Sequence, residues 1–481
     1  MADHTLTGET FDAVVIGAGA AGLVTASGAA LLGARVALIE KHRFGGECLW
    51  TGCVPSKALI RTAQTLSDAR RGDLLGLPAT ELAFDFQQVM QSMREIIARI
   101  QPHDDPETIQ KKGVTTLQGT ARILGPGRVA VDDQELASKR IVIATGSRPT
   151  VPPIANLKET GFLTHESALE LDEQPRRLIV LGGGPIGLEF AQIFNRLGSE
   201  VTVVELLDGI LPREDAEMSD RLRRILEAEG IRFLLGHKAV AAARLDEGRE
   251  ITVQGPDGAE TRISGDEILV ATGMRPVTRD LGLETVGVEL DKNGAVLVDA
   301  KMKTTAPGIW AAGDVTGKLL FTHVADYQAR LIVRNMFFPF RARADYSRVP
   351  WATYTDPTLA HVGLTESEAR QRHGDRIGVY RFQFDDLDRA ITDRAAQGLV
   401  KLVTDARGRL LGGHVLGSHA DSVIHEVALA MHAGVKIGGL SQMVHAYPTW
   451  SEGVRRAADS YYTEKFGESW IGPILRWWAR R

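Results

Sequence analysis

The chain has 481 residues, 24% of them charged and 44% hydrophobic, with a formal net charge of -5. That length exceeds one ordinary hydrophobic core and predicts two to four domains, and the mild acidity gives no reason to expect nucleic acid as a partner. Two cysteines in so long a chain exclude a disulfide framework, and a zinc site beside them would need two further ligands where only His42 is near. A redox pair is the expectation, with no resident metal.

The first ten residues lack the basic and apolar regions of a secretory signal, so a cytoplasmic protein is expected. Ala13 to Ala34 is uncharged and long enough to cross a bilayer, but its glycines follow a nucleotide-binding pattern and it is rich in Ala rather than Leu. It is read as a buried βα unit. Gly17, Gly19 and Gly22 form G-x-G-x-x-G after a β-branched run, and a helical stretch and a second strand then lead to Glu40. The first Gly of such a motif makes the turn, the second admits a pyrophosphate, and the third lets helix and strand pack closely. The helix N-terminus offers free N–H groups to phosphate, and the terminal acid can accept from a ribose diol.

Next comes GGECLWTGCVPSKALIRTAQ, with Cys48 and Cys53 spaced C-x-x-x-x-C. Pro55 near the first helical position places Cys53 at a helix N-terminus, where the dipole favours thiolate. Lys57 lies one turn further on a similar face.

The segment IVIATGSRP, holding Thr145 and Gly146, has a near copy in ILVATGMRP, which holds Gly273. Each reads as a strand closing a nucleotide domain, with these three residues as cofactor contacts. Between them the first motif recurs as Gly182, Gly184 and Gly187, and the acid, Glu205, follows at the same separation as Glu40 follows Gly17. Two complete units predict two dinucleotides. A third apolar strand, GIWAAGD, ends in Gly313 and Asp314; FTHVADYQA then opens a helix with His323. After Arg348 the texture alternates, as in a separate α+β domain. His361 and His432 have no partner pattern and are read as structural. The tail carries Trp470, Trp477 and Trp478 among Arg476, Arg480 and Arg481, which suits packing onto a dimer or, less well for so short a segment, weak contact with a membrane surface.

Together these residues resemble the class I pyridine nucleotide-disulfide oxidoreductases, the family of dihydrolipoyl dehydrogenase, glutathione reductase and mercuric reductase. GGECLWTGCVPSK matches the active-site signature, and the likeness extends through both dinucleotide units, both ATG segments, AAGD and YPTWSEG. It implies an α/β chain with two Rossmann-like domains, for FAD and NAD, and a C-terminal α+β dimerisation domain. The expected divisions are 1–150 and 278–347 for FAD, 151–277 for NAD(P), and 348–481 for a homodimer contact. It further implies that Glu40 meets the adenosine ribose, that Asp314 meets the ribityl or phosphate region, and that Lys57 pairs with Glu189 beside the flavin. His323 would face the flavin ring. Cys53 would touch the flavin, and Cys48 would be the outer thiol that meets substrate.

Glu205, with no Arg immediately after it, favours NADH over NADPH. Pro185 stands where some relatives carry an aromatic gate over the flavin, so the nicotinamide pocket is expected to be open at rest. Disulfide-reducing relatives carry His-Pro with a Glu four residues after the Pro. Here Glu452 and Pro448 remain but Tyr447 replaces the His, and a phenol titrates near pH ~10, a poor proton shuttle. His445, if the segment is extended, would face the same side as Tyr447. Tyr at this position is similar to mercuric reductases, whose usual C-terminal cysteine pair is missing here. The resemblance therefore points to a mercuric-reductase-like branch passing electrons to a thiophilic metal ion such as Hg(II) or a similar small acceptor. The alternatives are a dihydrolipoyl dehydrogenase-type enzyme and a redox-sensing or electron-delivery flavoprotein with a protein or membrane partner.

Overall fold

The structure, a computed structural model, describes residues 10–468 and 471–480. The short apolar runs Ala13–Ile16, Val36–Glu40 and Ile141–Ile143 are buried almost throughout, as strands covered on both faces must be. With Ile309–Ala311 and Val114–Gln118 they form a five-stranded parallel sheet in the order Ile309, Ile141, Ala13, Val36, Val114. The uncharged stretch from Ala13 is therefore strand, turn and the helix Ala20–Leu31. Among the described residues no helix is long and apolar enough to cross a membrane.

The second unit repeats the plan. Arg232–Leu234, Glu200–Val204, Arg177–Leu181 and Glu267–Val270 make a four-stranded parallel sheet, with the helix Pro185–Leu197 following the glycine turn. The long helix Cys53–Arg70 packs on that second-unit helix, and Leu59 and Leu66 share a core with Leu188, Phe190 and Phe194. The near-copy segments pair with each other: Ser147–Pro149 runs antiparallel to Met274–Pro276 and ties the two units together.

Pro350–Thr353, Thr358–Gly363, Leu410–Gly417, Leu399–Asp405 and Ile377–Gln383 form a five-stranded antiparallel sheet in that order. Both its faces are buried. Ala360, Val362, Val400, Leu402 and Val415 pack with the helices Ala420–Ala433 and Glu452–Glu468, whereas Leu359, Leu399 and Leu416 join the core of the second unit. Of the tail, Trp470 and Arg481 lie outside the described residues; Trp477 and Trp478 sit on the helix Ile471–Ala479 and are exposed.

Candidate active site

The two glycine turns are equivalent in detail. Gly17 and Gly182 have φ of +102° and +113°, and a Cβ there would strike the carbonyl oxygens of Ala144 and Ala271 at 2.3 and 2.5 Å. A Cβ on Gly22 or Gly187 would lie 1.8 or 2.1 Å from the carbonyl oxygen of the first glycine of its own motif. These four glycines work by packing. The middle ones face space: nothing lies within 4 Å of a Cβ on Gly184, and only Gly46 Cα, at 3.8 Å, near one on Gly19. Both following helices start at these glycines with no side-chain cap, leaving first-turn N–H groups for phosphate. The acids match as well. Glu40 accepts from the N–H of Ala18 at 2.7 Å and of His42 at 2.8 Å; Glu205 accepts from Gly183 at 2.6 Å and Leu207 at 2.8 Å. Each carboxylate braces its own loop, and its remaining lone pairs stay available.

Gly45 and Gly46 bring the cysteine segment against the first turn. The Gly45 N–H donates to Ala18 O at 2.9 Å, and a Cβ on Gly46 would lie 2.6 Å from Gly19 Cα. The helix beginning at Cys53 then points its N-terminus into a continuous cavity of about 1860 Å³. This exceeds an ordinary small-molecule pocket of roughly 300–1,000 Å³ and reaches both glycine loops, as two dinucleotides require. Cys48, Cys53, Lys57, Glu189, Asp314 and His323 all line it, as do Gly19, Gly146, Gly184, Glu205, Gly273 and Gly313. The residues present therefore fit FAD and a nicotinamide nucleotide.

Both cysteines are free thiols, Cys48 half-buried and Cys53 exposed to the cavity. The Cys48 thiol donates to Cys53 and, helped by Thr322 and the Lys57 charge, holds Cys53 down at about 6 despite burial; Cys48 is pushed up by the same bond and by burial. Lys57 Nζ lies 2.8 Å from Glu189 Oε2 and 4.4 Å from the Tyr354 ring centre. Burial lowers its affinity for a proton, but Glu189 outweighs that, and its pKa is raised. The other Glu189 oxygen accepts from the Tyr354 N–H at 2.9 Å. Asp314 accepts from Ser147 Oγ at 2.7 Å, yet burial pushes it up to about 6. His323 stacks on Phe321, with centres 5.3 Å apart, and burial lowers its pKa.

Some expected residues stand elsewhere. The Thr145 hydroxyl is committed to Val277 O at 2.6 Å, away from the cavity lining. Within the single chain, Tyr447 and Glu452 also lie outside that lining. Tyr447 is 68% exposed and donates to Asp388 at 2.6 Å, while Glu452 is buried and paired with Arg455 and Arg456. His445 does not share the side of Tyr447: its ring is buried, 2.9 Å from Glu426 Oε1, because the segment is not an extended strand.

Four cavity-lining contributors were not foreseen: Thr322, whose Oγ1 is 3.4 Å from Cys53 Sγ, Tyr354 on Glu189, and the pair Glu47 and His165 at 3.0 Å. Ser147, behind the lining on Asp314, had a visible signal, being the one position where ATGSRP and ATGMRP differ.

Residues 11–329 match the model of the pyridine nucleotide-disulphide oxidoreductases, and residues 349–458 match that family's dimerisation domain. A dihydrolipoyl dehydrogenase of Chlorobaculum tepidum is 37% identical over 456 residues, 93% of this chain and 96% of the relative. A mercuric reductase of Streptomyces lividans is 36% identical over 461 residues, 94% and 97% of the two chains. Among solved structures, a Cu(II) complex of the HOCl-induced flavoprotein disulfide reductase RclA of Escherichia coli superposes with a TM-score of 0.83 at 29% identity, covering 94% of this chain and 99% of that one. Two Rossmann-like sheets opening on one cavity, a dithiol at a helix N-terminus in it and a C-terminal dimerisation domain thus have one explanation: the chain belongs to the FAD-dependent pyridine nucleotide-disulfide oxidoreductases.

Proposed function

We propose that the chain acts in the cytoplasm as a homodimer that uses NADH, FAD and the Cys48–Cys53 pair to reduce a thiophilic metal ion, Hg(II) or one of similar chemistry. FAD, held along the cavity by Gly19, Gly313 and Asp314, would supply hydride acceptance from nicotinamide and electron delivery to the disulfide. The chain supplies the rest. The helix N-terminus and Cys48 hold Cys53 as a thiolate, the Lys57–Glu189 pair sets a fixed positive charge beside it, and Cys48 is the outer thiol that meets the acceptor.

The observation that carries the choice of acceptor is Tyr447. Exchange between a dithiol and an organic disulfide needs one proton taken from the attacking thiol and another given to the leaving thiolate, and a positioned base is worth about 10²–10⁴-fold there. The Cys53 thiolate and Cys48 thiol reducing Hg(II) to Hg(0) re-form the disulfide; the one Cys48 proton leaves to solvent as sulfur binds the metal, and none is transferred to the metal. Tyr447, a phenol held protonated by its bond to Asp388, serves the second reaction and not the first. The RclA neighbour, described as a Cu(II) complex, supports a metal-ion acceptor. Steady-state turnover of the purified enzyme with Hg(II) and with dihydrolipoamide tests the assignment. We expect poor dihydrolipoamide turnover and a gain in Tyr447→His; wild-type activity matching a dedicated lipoamide enzyme would sink the proposal in favour of a dihydrolipoyl dehydrogenase. That second reading is favoured by a relative of that name at 37% identity, beside 36% for the mercuric reductase.

Glu205 supports NADH, because it lines the cavity at the end of the second-unit strand and would repel a 2′-phosphate. The preference in kcat/KM is expected to correspond to about 1–3 kcal/mol; equal values for NADH and NADPH would contradict it.

A further inference from the structure

The C-terminal sheet presents a row of polar side chains on the face that packs against the second unit. Along Thr358–Gly363, Leu359 packs into the second-unit core and His361, two residues on, shares its face. Cross-strand register sets His361 opposite His414 and His414 opposite Lys401. Lys401 is fully partnered, 2.7 to 2.9 Å from Asp215, Glu217 and Glu366. The two histidines are not.

His361 and His414 are 1% and 0% exposed, and the Glu214 side chain that meets them is 3% exposed. His361 Nε2 lies 2.8 Å from Gly363 O, and His414 Nε2 lies 3.2 Å from Leu364 O. A carbonyl only accepts, so each Nε2 carries the proton and each Nδ1 presents a lone pair. Glu214 Oε1 accepts from Trp351 Nε1 at 2.5 Å. That leaves Glu214 Oε2 and the two Nδ1 atoms with no hydrogen-bond partner among the described residues, and each of the three side chains offers a ligand atom within 4.8 Å of the others. Three buried acceptors facing one another are unfavourable unless something positive sits between them. One proton on His361 would satisfy Glu214 and leave His414 unmatched; a cation answers all three.

We propose that Glu214, His361 and His414 form a buried site for one divalent metal ion of the zinc class. The spacing fits: ligand atoms about 2.0–2.1 Å from a tetrahedral zinc stand about 3.3 Å apart, and Glu214 Oε2 is 3.3 Å from His361 Nδ1. The surroundings fit too. Imidazoles that bind metals donate their other N–H to a carbonyl or carboxylate, and ligating carboxylates are themselves hydrogen-bonded; here Gly363, Leu364 and Trp351 supply those bonds, and Trp351 stacks on His361 with ring centres 4.0 Å apart. Two imidazoles and one carboxylate select a zinc-class ion over magnesium or calcium, which take oxygen ligands. Glu214 precedes the helix Ala216–Ala228 of the second unit and both histidines belong to the C-terminal sheet, so the ion cross-links the two. The site uses none of the dithiol residues, although Glu214 and Trp351 also line the cavity that holds them.

The test uses the full-length, FAD-loaded protein carrying Cys48→Ser and Cys53→Ser, so that no thiol competes for metal. After chelator treatment the protein is incubated with Zn(II), desalted, and its zinc and flavin counted. One zinc per chain is expected. Glu214→Gln and His361→Leu should each lower zinc occupancy roughly tenfold or more at unchanged flavin content, and removal of the exposed His432 by His432→Ala should not. X-ray absorption of the zinc-loaded parent should show imidazole ligands, which decides the matter even where a variant folds poorly. Absence of retained zinc in the parent, undiminished zinc in both variants, or a metal shell without imidazole would overturn the proposal.

Discussion

At the scale of single residues, the two cysteines differ by position alone. Cys53 accepts a hydrogen bond from Cys48, and Thr322 and the Lys57 charge add to it, so its thiol ionises at about 6 while that of Cys48 stays protonated well above neutral pH. A lowered thiol pKa means thiolate above that pH and thiol below it. In the two-electron-reduced, FAD-loaded enzyme, a long-wavelength charge-transfer band from Cys53 should therefore grow in as pH rises through about 6. Cys53→Ser should abolish it. Cys48→Ala removes the hydrogen bond that does most to stabilise the Cys53 thiolate and should move the midpoint upward. A midpoint near the ordinary thiol value of about 8.5 in the unaltered protein would mean that Cys53 is not the activated thiol. Lys57, Glu189 and the two cysteines were readable from motif and resemblance. Thr322 and Tyr354 were not, because they reach the site from segments whose own patterns say only helix start and loop.

At the scale of elements, the C-terminal sheet shows how a strand buried on both faces can carry charge into a core. Leu399–Asp405 is buried at every position, yet Lys401 lies within it at 2% exposure. The residue is tolerated because three carboxylates from the second unit and the helix Glu366–His373 meet it within 2.9 Å. Removing one partner of a buried network leaves the others uncompensated, at a cost of about 3–5 kcal/mol. Lys401→Met should lower unfolding stability by that amount, measured in denaturant with flavin bound, and should loosen the second unit from the sheet. A change under about 1 kcal/mol would show that the network is solvated rather than structural. The glycine turns differ: Gly22 and Gly187 pack on the first glycine of their own motif, a local contact that spacing encodes, whereas Gly17 and Gly182 pack on the distant Ala144 and Ala271.

At the scale of the molecule, the C-terminal domain leaves large apolar side chains in water. Val444 is 94% exposed, Tyr447 68% and Leu429 67%. Such exposure, in a domain that matches a dimerisation family, marks the surface that a second copy covers. Val444→Asp would set a charge against that copy, and we expect the dimer dissociation constant to rise ~100-fold, about 3 kcal/mol, by sedimentation velocity. A dimer as tight as the wild type would place the contact elsewhere. If Tyr447 acts at the dithiol of the partner subunit, as the His does at this position in disulfide-reducing relatives, turnover should fall with dimer content.

Much of the chemistry was legible in the chain. Glycine motifs, terminal acids and the cysteine signature act over a few bonds or within one βα unit, so covalent spacing carries their meaning. The alternating texture expected after Arg348 is not the burial pattern found: the C-terminal strands are buried on both faces, because helices cover one and the second unit the other. Only the tertiary structure decided which distant segments meet. The sequence left His361 without a partner; strand register put it beside His414, and docking of the second unit brought Glu214 to both. It read Glu205 and Glu40 as ribose acceptors; in the folded chain each braces its own loop, and Glu205 lines the cavity while Glu40 stands outside its lining. His445 and Tyr447, two residues apart, parted company because the segment bends. Contacts within a turn are set by the chain itself, whereas contacts between sheet faces depend on register and packing angle, which no local pattern of residues encodes.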